Sequence, residues 1–314
     1  YKGLAKMHQV HDSAYKYIFS NKRIFYQLIK SFIKEDFVNN LSLDNISLLD
    51  KSFVSDEFLK RESDIIYKVK NENSEIYIYI LLEFQSTVDK SIPVRMLLYL
   101  LQFYDLLYRN SQNSKLPSVF PLLLYNGKAD WTIPVNIKDL VDIQIPEKYI
   151  PSFEYYALIE KDVPDETLLQ IHNLASAIIY LEKQKDEASL QASIDTVIEL
   201  IKNEDIIDIR MFTTWFTRMF RKAVNYEDIE KIHDLREVKS MLTLLAEQIE
   251  QKGIQKGIQK GIQKGIQKGI QKGIQQGVKD EKIETAKKML KLKYSINDIC
   301  AVTDLSKEEV ETLL

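Results

Sequence analysis

Three side chains in one stretch of the chain could together hold a metal ion beside a water molecule. Asp64 begins the segment SDIIYKVK (63–70), and Glu83 and Gln85 lie near the end of EIYIYILLEFQS (75–86). Burying a carboxylate such as Glu83 among Ile, Leu and Phe is costly unless it is paired or binds a metal. Mg²⁺ prefers one or two carboxylates and keeps several waters. The pattern therefore indicates a metal site that could activate water for attack on a phosphodiester.

A β-hairpin would have to bring these residues together. Both segments are rich in Ile, Tyr and Val, and the polar residues 71–74 between them are typical of a turn. Because strand side chains alternate between faces, Glu83 and Gln85 are expected to share a face. Antiparallel pairing can then place Asp64, at the start of one strand, beside the end of the other. The alternative is two solvated acids at strand ends, and spacing alone does not decide between them.

The other elements of the first half alternate between helix and strand. Apolar spacing predicts helices over 11–33 and 91–110. PSVFPLLLYNG (117–127) predicts a third strand that ends at a turn around Asn126-Gly127. Residues 130–165 contain four prolines and are predicted to be irregular. From 166 to 250 Pro and Gly are absent and apolar residues recur at helical spacing, which predicts an all-α region.

The segment 251–279 repeats the word Lys-Gly-Ile-Gln and contains seven of the nine glycines of the chain. Four residues advance about 400° around an α-helix, so no fixed apolar face forms. Each interior glycine costs about 1 kcal/mol relative to alanine. Three interpretations stay open: paired helices, a flexible cationic linker, or a segment that contacts phosphates without sequence preference.

The tail, 280–314, is predicted to form three short helices, the first over 281–293, that together resemble a helix-turn-helix. Ser306 with Glu309 has the spacing of a capping box, and Ser295 with Asp298 is similar. The last helix is acidic, whereas a recognition helix offers basic or amide side chains to DNA. The tail is therefore expected to bind protein rather than to read DNA.

Composition and charge exclude several classes of protein. No run approaches the roughly 18 apolar residues of a membrane span, and no secretory signal is visible, so a cytoplasmic protein is expected. One cysteine excludes an intramolecular disulfide framework, and the four histidines lack metal-ligand spacing. The net charge is −3 and residues 251–279 carry seven Lys and no acid, so the rest sums to −3 − 7 = −10.

Five motifs in order resemble the recombination-promoting nuclease / putative transposase family, within the PD-(D/E)XK nuclease superfamily. They are HDSAYKYIF, SDIIYKV, LLEFQS, IPVRMLLYLLQFYDLL and LPSVFPLLLYNGKADW, and they cover about residues 8–135. The resemblance implies a restriction-endonuclease-like core, a mixed sheet flanked by helices, and metal-dependent cleavage of DNA. The expected fold class is thus α/β, with an all-α region, the repeat and a short helical tail following the core.

The resemblance also assigns roles to residues. It implies that Asp64 and Glu83 bind Mg²⁺, with Mn²⁺ or Ca²⁺ as alternatives, and that Gln85 orients the attacking water. In the wider superfamily the position of Gln85 is usually Lys, so a positive charge is missing here. Lys68, on the same strand as Asp64, could supply one, although a solvated strand lysine is the simpler interpretation.

Two pairs of residues, each pair on one helix, are the remaining candidates. Asp12 and Lys16 share a helix face and either border the site or form a surface ion pair. Arg95 and Tyr99 share a face of the next helix and either contact DNA phosphates or pack the helix.

The sequence thus predicts a Mg²⁺-dependent DNA endonuclease that acts in recombination of mobile elements or in phage defence. The alternatives are a DNA-joining transposase and a non-catalytic assembly or regulatory protein. DNA is the expected partner, together with a second copy of the chain bound through the helical region, the repeat or the tail, and no membrane partner is expected. The predicted domains are 8–165 (nuclease-like core), 166–250 (helical), 251–279 (repeat) and 280–314 (tail).

Overall fold

A computed structural model of the chain describes residues 13–49, 65–71, 74–83, 88–110, 115–127, 129–184, 187–219, 229 and 232–314. The chain forms two compact units, Tyr1–Ile249 and Glu250–Leu314. The first contains a five-stranded sheet in the order β1-β2-β3-β4-β5. Its strands are β1 (Ile46–Leu48), β2 (Ile65–Asn71), β3 (Ser74–Glu83), β4 (Ser118–Tyr125) and β5 (Tyr156–Ile159).

The sheet is mixed, as predicted. Strands β1, β2 and β3 pair antiparallel, whereas β3, β4 and β5 pair parallel. The predicted hairpin is confirmed, since Ile65 pairs with Ile80 and Asn71 pairs with Ser74. The predicted α/β class is therefore confirmed, and the narrower assignment to a restriction-endonuclease-like core stays a prediction.

Helices cover both faces of the sheet and continue beyond it. The helices are α1 (13–19), α2 (Lys22–Phe32), α3 (Ile92–Asn110), α4 (Asp165–Gln170), α5 (Leu174–Glu182), α6 (Glu187–Ile201), α7 (Ile206–Met219), α8 (Leu235–Lys291), α9 (Ile296–Thr303) and α10 (Lys307–Glu311). Short 3₁₀ turns occupy Asp36–Asn40, Leu43–Asn45, Ile137–Leu140, Glu147–Tyr149 and Glu160–Asp162.

Alternation along the strands divides the buried residues into two cores. Ile78 and Ile80 of β3 belong to the larger core, with α1, α2 and α5 to α7. Tyr77 and Tyr79 belong to the smaller core, which α3 covers with Ile92, Met96, Tyr99 and Phe103. Their i, i+4, i+7, i+11 spacing forms one helix face. Because the helical region shares the larger core with the sheet, both lie in the same compact unit.

The first predicted helix is divided in two. The chain leaves helix after residue 19, and α2 begins at Lys22. Asn21 caps α2, since its side-chain oxygen accepts hydrogen bonds from the backbone N–H groups of Arg23 and Ile24 at 2.8 and 3.2 Å. A capping asparagine satisfies N–H groups that the first helical turn leaves without partners. The apolar spacing persisted across this break, so periodicity alone overlooked it.

A single buried tyrosine fixes these two helices against the sheet. The hydroxyl of Tyr67 on β2 donates to the carbonyl of Phe19 at 2.9 Å, and its ring stacks on Phe25 with a centroid separation of 3.6 Å. Burial raises the pKa of Tyr67, so its hydroxyl remains a donor. The end of α1 and the middle of α2 are therefore held on the same strand.

The second unit contains the repeat and a small helical tail. The repeat is helical, as part of α8, which ends at Lys291. The predicted separate helix over 281–293 is therefore wrong: it is the last part of α8, followed by α9 and α10. The capping box of Ser306 and Glu309 is confirmed, and Ser295 caps α9. The tail core consists of Ala286, Ile299, Leu305 and Val310.

Candidate functional site

Three strands end together at one edge of the sheet, which we call the carboxyl edge. Glu83, the last residue of β3, pairs with Tyr125 at the end of β4, and Tyr125 pairs with Ile159 at the end of β5. The antiparallel strand β2 begins at this edge, because Ile65 pairs with Ile80. The ends of parallel strands are the usual place for ligand sites in α/β sheets.

One of the two predicted metal ligands can be placed at this edge. The backbone of Glu83 lies there, whereas Asp64, Gln85 and Asp12 are outside the described residues. Within the described part of the chain, no group of three or more His, Cys, Asp or Glu could hold a metal ion. The convergence of Asp64 and Glu83 on one metal ion stays a prediction.

Helix α3 directs its N-terminal end toward the carboxyl edge. The rings of Tyr77 and Phe103 lie 5.1 Å apart, and those of Tyr79 and Tyr99 lie 6.2 Å apart. The step from Tyr77 to Tyr79 toward the end of β3 thus matches the step from Phe103 to Tyr99 toward the start of α3, so the helix runs antiparallel to the strand. One more helical turn reaches Arg95, near the end of β3. A helix N-terminus also favours an anion, because its free N–H groups carry partial positive charge.

Arg95 and Tyr99 differ in what they can offer to a phosphate. The guanidinium of Arg95 donates to Asp89 at 2.8 Å, and 23% of its side chain is exposed. Burial opposes ionisation of Asp89, but hydrogen bonds from Ser91 and from Arg95 lower the pKa of its carboxyl. Tyr99 is only 5% exposed and lies in the smaller core. The arrangement keeps Arg95 as a candidate for phosphate contact and gives Tyr99 a packing role.

Lys68 is engaged away from the carboxyl edge. Its ammonium forms an ion pair with Glu75 at 2.7 Å and lies 5.6 Å from the ring centre of Tyr77. Tyr77 lies directly opposite Lys68 in the register, and Glu75 lies closer to the hairpin turn, opposite Lys70. The structure therefore does not bring Lys68 to the metal candidates.

A buried polar network that sequence reasoning missed lies beside the ends of β4 and β5. Tyr15 on α1 donates to the two carboxylate oxygens of Glu160 at 3.3 and 3.2 Å. The amide nitrogen of Asn126, just after β4, donates to the Tyr15 hydroxyl at 2.6 Å and to Glu182 at 2.9 Å. Lys16, beside Tyr15, is half-buried on the same helix. The network thus joins α1, the ends of two strands and the end of α5.

Both carboxyl groups of this network are shifted toward their protonated forms. Burial and then the charge of Glu182 raise the pKa of Glu160 well above its ordinary value, against a smaller opposing effect of the Tyr15 hydrogen bond. Burial likewise raises the pKa of Glu182 to about 7, although hydrogen bonds from Asn126 and Tyr15 lower it. Burial and both acids raise the pKa of Tyr15, which stays neutral and donates.

The mixed sheet and the helices on its two faces define an α/β protein. A family model described as "Putative transposase, YhgA-like" matches residues 9–211. The chain belongs to this family. The match includes the sheet and α1 to α6, and it ends within α7.

Several curated relatives match at low identity. The chain is 24% identical to recombination-promoting nuclease RpnD of Escherichia coli O157:H7 over 198 residues, which cover 62% of this chain and 75% of the relative. It is 25% identical to recombination-promoting nuclease RpnA of Escherichia coli K12 over 276 residues, covering 85% and 84%. It is 21% identical to the inactive recombination-promoting nuclease-like protein RpnE of the same strain over 256 residues, covering 77% and 82%.

No solved structure matches the chain. Among the described residues, none of the helices has the length and apolar character needed to span a bilayer.

Proposed function

We propose that the chain is a divalent-metal-dependent endonuclease that hydrolyses phosphodiester bonds in DNA. The observation that carries the proposal is the register of the sheet, since β2 begins and β3 ends at the same edge. Two relatives whose names call them nucleases match over most of the chain or of their own length. These findings support the reaction class, and the residue roles below are part of the proposal.

Asp64 and Glu83 would hold the metal, with Gln85 beside them. Mg²⁺ is the ion that a pair of carboxylates with retained waters suits best, and Mn²⁺ or Ca²⁺ could replace it. When bound, such an ion lowers the pKa of a water ligand and neutralises charge on the phosphate. The amide of Gln85 can hold the attacking water by hydrogen bonds but supplies no positive charge.

Arg95 would position the DNA. Its place one turn before Tyr99 directs it toward the end of β3, and an arginine can donate two parallel hydrogen bonds to a phosphate. The pair with Asp89 holds the guanidinium in one orientation before DNA binds. The N-terminal end of α3 adds a favourable potential for the same phosphate.

Plasmid cleavage tests the proposal directly. The parent protein should nick or linearise supercoiled DNA in Mg²⁺, and EDTA should stop the reaction. Asp64→Ala and Glu83→Ala should each lower the rate by at least about a hundredfold, because a metal ligand is lost. Glu75→Ala is the matched control, since Glu75 lies at the other end of β3 and is exposed. If Asp64→Ala cleaves as fast as the parent, the site assignment is wrong.

A non-catalytic protein is the second candidate, and one specific observation favours it. A relative whose name calls it inactive matches over 77% of this chain. In that case the protein would show no cleavage and no metal binding that depends on Glu83. The transposase alternative predicts joining of labelled donor ends, so products from a strand-transfer assay would separate it from hydrolysis.

A further inference from the structure

Four exposed lysines of α8 form a regular row, which we call the lysine stripe: Lys260, Lys264, Lys268 and Lys272. On an α-helix, residues four apart are separated by about 6 Å along the axis and about 40° around it. Lys260, Lys264 and Lys268 therefore lie within about 80° of one another. Any straight anionic surface beside the helix could contact these three ammonium groups at once.

The positive charges of the lysine stripe have no carboxylate partner within the described part of the chain. None of its four lysines lies within 4 Å of a described carboxylate, whereas Lys279, just beyond the stripe, approaches Glu309 at 3.6 Å. Residues 251–279 contain seven Lys and no acid. Like charges four residues apart destabilise a helix by a few tenths of a kcal/mol per pair. An anionic partner would relieve this repulsion between the lysines of the repeat.

Packing within the described part of the chain does not explain why the repeat contains Ile and Gly. The isoleucines from Ile254 to Ile274 are between 56 and 62% exposed. At Gly257, Gly261, Gly265, Gly269, Gly273 and Gly277, an added Cβ would meet nothing within 4 Å. The described side chains of the repeat are therefore exposed to solvent.

We propose that the lysine stripe binds the phosphate backbone of double-stranded DNA without reading its sequence. Duplex DNA carries one negative charge per about 1.7 Å of axis, which is dense enough for lysines spaced about 6 Å apart to find phosphates. Identical repeats present the same side chains at each step, so they carry no information about bases. The choice of DNA over other polyanions rests on the proposed nuclease function, but the binding does not require cleavage.

A second copy of the chain fits the stripe less well. Two repeats would bring seven lysines of each copy near one another. To keep the isoleucines of two paired helices in contact, the drift of about 40° per repeat would require a supercoil pitch of about 54 Å. This pitch is far shorter than the roughly 150 Å of a two-stranded coiled coil. Charge and geometry both favour the polyanion over self-pairing.

Binding of a labelled DNA duplex to the full-length chain tests the proposal. EDTA is present, so that binding is measured apart from cleavage, and salt is varied from about 50 to about 200 mM. The variant Lys260→Gln/Lys264→Gln/Lys268→Gln removes three charges and keeps a good helix former. It should weaken binding at low salt about tenfold or more and reduce the slope of log affinity against log salt by about 2 to 3.

A charge-matched variant in the same unit is the control. Lys287→Gln/Lys293→Gln/Lys307→Gln also removes three exposed lysines, outside the repeat. It should keep the salt slope within about one unit of the parent, because isolated lysines do not form a row. Equal losses in the two variants would overturn the proposal, as would an unchanged slope in the repeat variant.

Two further arms separate other partners. Vesicles containing anionic lipid replace the duplex in one arm, and preferential binding of vesicles over DNA would also overturn the proposal. Sedimentation measures self-association in the other arm. If the repeat variant loses self-association and binds DNA like the parent, the stripe serves a second copy instead. Loss of cleavage in Asp64→Ala with full DNA binding would separate this proposal from the nuclease site.

Discussion

The hydroxyl of Tyr15 donates a hydrogen bond to the carboxylate of Glu160 at 3.2 Å, across 145 residues of sequence. Glu160 is 2% exposed and follows β5, while Tyr15 is fully buried on α1. Asn126 extends the contact to Glu182 at the end of α5. The ends of two parallel strands are therefore tied to two helices that precede and follow the sheet in sequence.

Replacing Tyr15 with Phe tests how much this contact stabilises the first unit. The Tyr15→Phe variant keeps the ring and leaves Glu160 and Asn126 each without one partner. An unsatisfied buried polar group costs about 1–3 kcal/mol, so the free energy of unfolding should fall by that amount. Denaturant titration measures it. Tyr17→Phe is the control, because Arg218 lies over the Tyr17 ring, which Phe retains. Equal losses in the two variants would contradict a role for the network.

The raised acid pKa values predict that stability declines between about pH 4.5 and 7. Burial raises the pKa of Glu182 from 4.5 to about 7. The folded state therefore holds a proton that the unfolded chain releases, and stability present below pH 4.5 is lost as the pH rises to 7. Near this residue lie Tyr15, Asn126 and Glu160, and none of them is a cation.

The variant Glu182→Gln should remove this part of the pH dependence. Glutamine stays neutral and keeps an oxygen that can accept from Asn126. At pH 8, Glu182→Gln should be more stable than the parent by about 1–3 kcal/mol, and the difference should vanish near pH 4. Thermal unfolding at several pH values measures the two curves. The exposed acid Glu166 provides the control Glu166→Gln, whose curve should parallel that of the parent.

The strands that could be read from sequence are those with long apolar runs. β2, β3 and β4 have seven, ten and eight residues, and each was predicted. β1 and β5 have only three and four residues. β5 lies in the proline-containing segment 130–165, which was predicted to be irregular. These two short strands form at the edges of the sheet because β2 and β4 supply hydrogen-bond partners, which local sequence does not show.

The residues at the candidate site also differ in how far the sequence could predict them. The place of Glu83 at the end of β3 could be predicted, because the hairpin pattern is clear in the sequence, and its role as a metal ligand stays a prediction. The network of Tyr15, Asn126, Glu160 and Glu182 could not be predicted, because its members come from four separate elements and none stands out locally. Asn126 was interpreted as a turn residue of the Asn-Gly pair. Its second function, as donor to Tyr15 and Glu182, depends on tertiary packing alone.

The two arginines of α3 offer a paired test of DNA positioning. Arg95 lies toward the carboxyl edge, whereas Arg109 lies at the other end of the helix and pairs with Asp105 at 2.9 Å. If Arg95 contacts phosphate, Arg95→Gln should raise KM for DNA by at least about tenfold and change kcat less, since a charged hydrogen bond contributes about 1.5–3 kcal/mol. Arg109→Gln should match the parent. A matching fall in thermal stability would assign Arg95 to structure instead.

A lysine at position 85 should increase the rate of the proposed nuclease. In the proposed assignment, Gln85 takes the position that is usually Lys in the wider nuclease superfamily, so the proposed site would lack a positive charge beside the reacting phosphate. Gln85→Lys supplies it and should raise kcat several-fold in Mg²⁺, because charge that develops in the transition state is stabilised. Single-turnover cleavage of a labelled duplex measures the rate. A rate that falls to the level of Glu83→Ala would show that the amide itself is required.

The glycines of the repeat can be replaced without a clash inside the chain. An added Cβ at Gly261, Gly265 and Gly269 would meet nothing within 4 Å, so Ala at all three positions should stabilise the helix by about 1 kcal/mol each. Circular dichroism should show a higher melting temperature for the repeat. DNA binding should stay within about twofold of the parent, because the three lysines that lie between and beside these positions are unchanged. If self-association measured by sedimentation is instead lost, the glycines serve close approach of a second helix, and the paired-helix interpretation of the repeat is favoured.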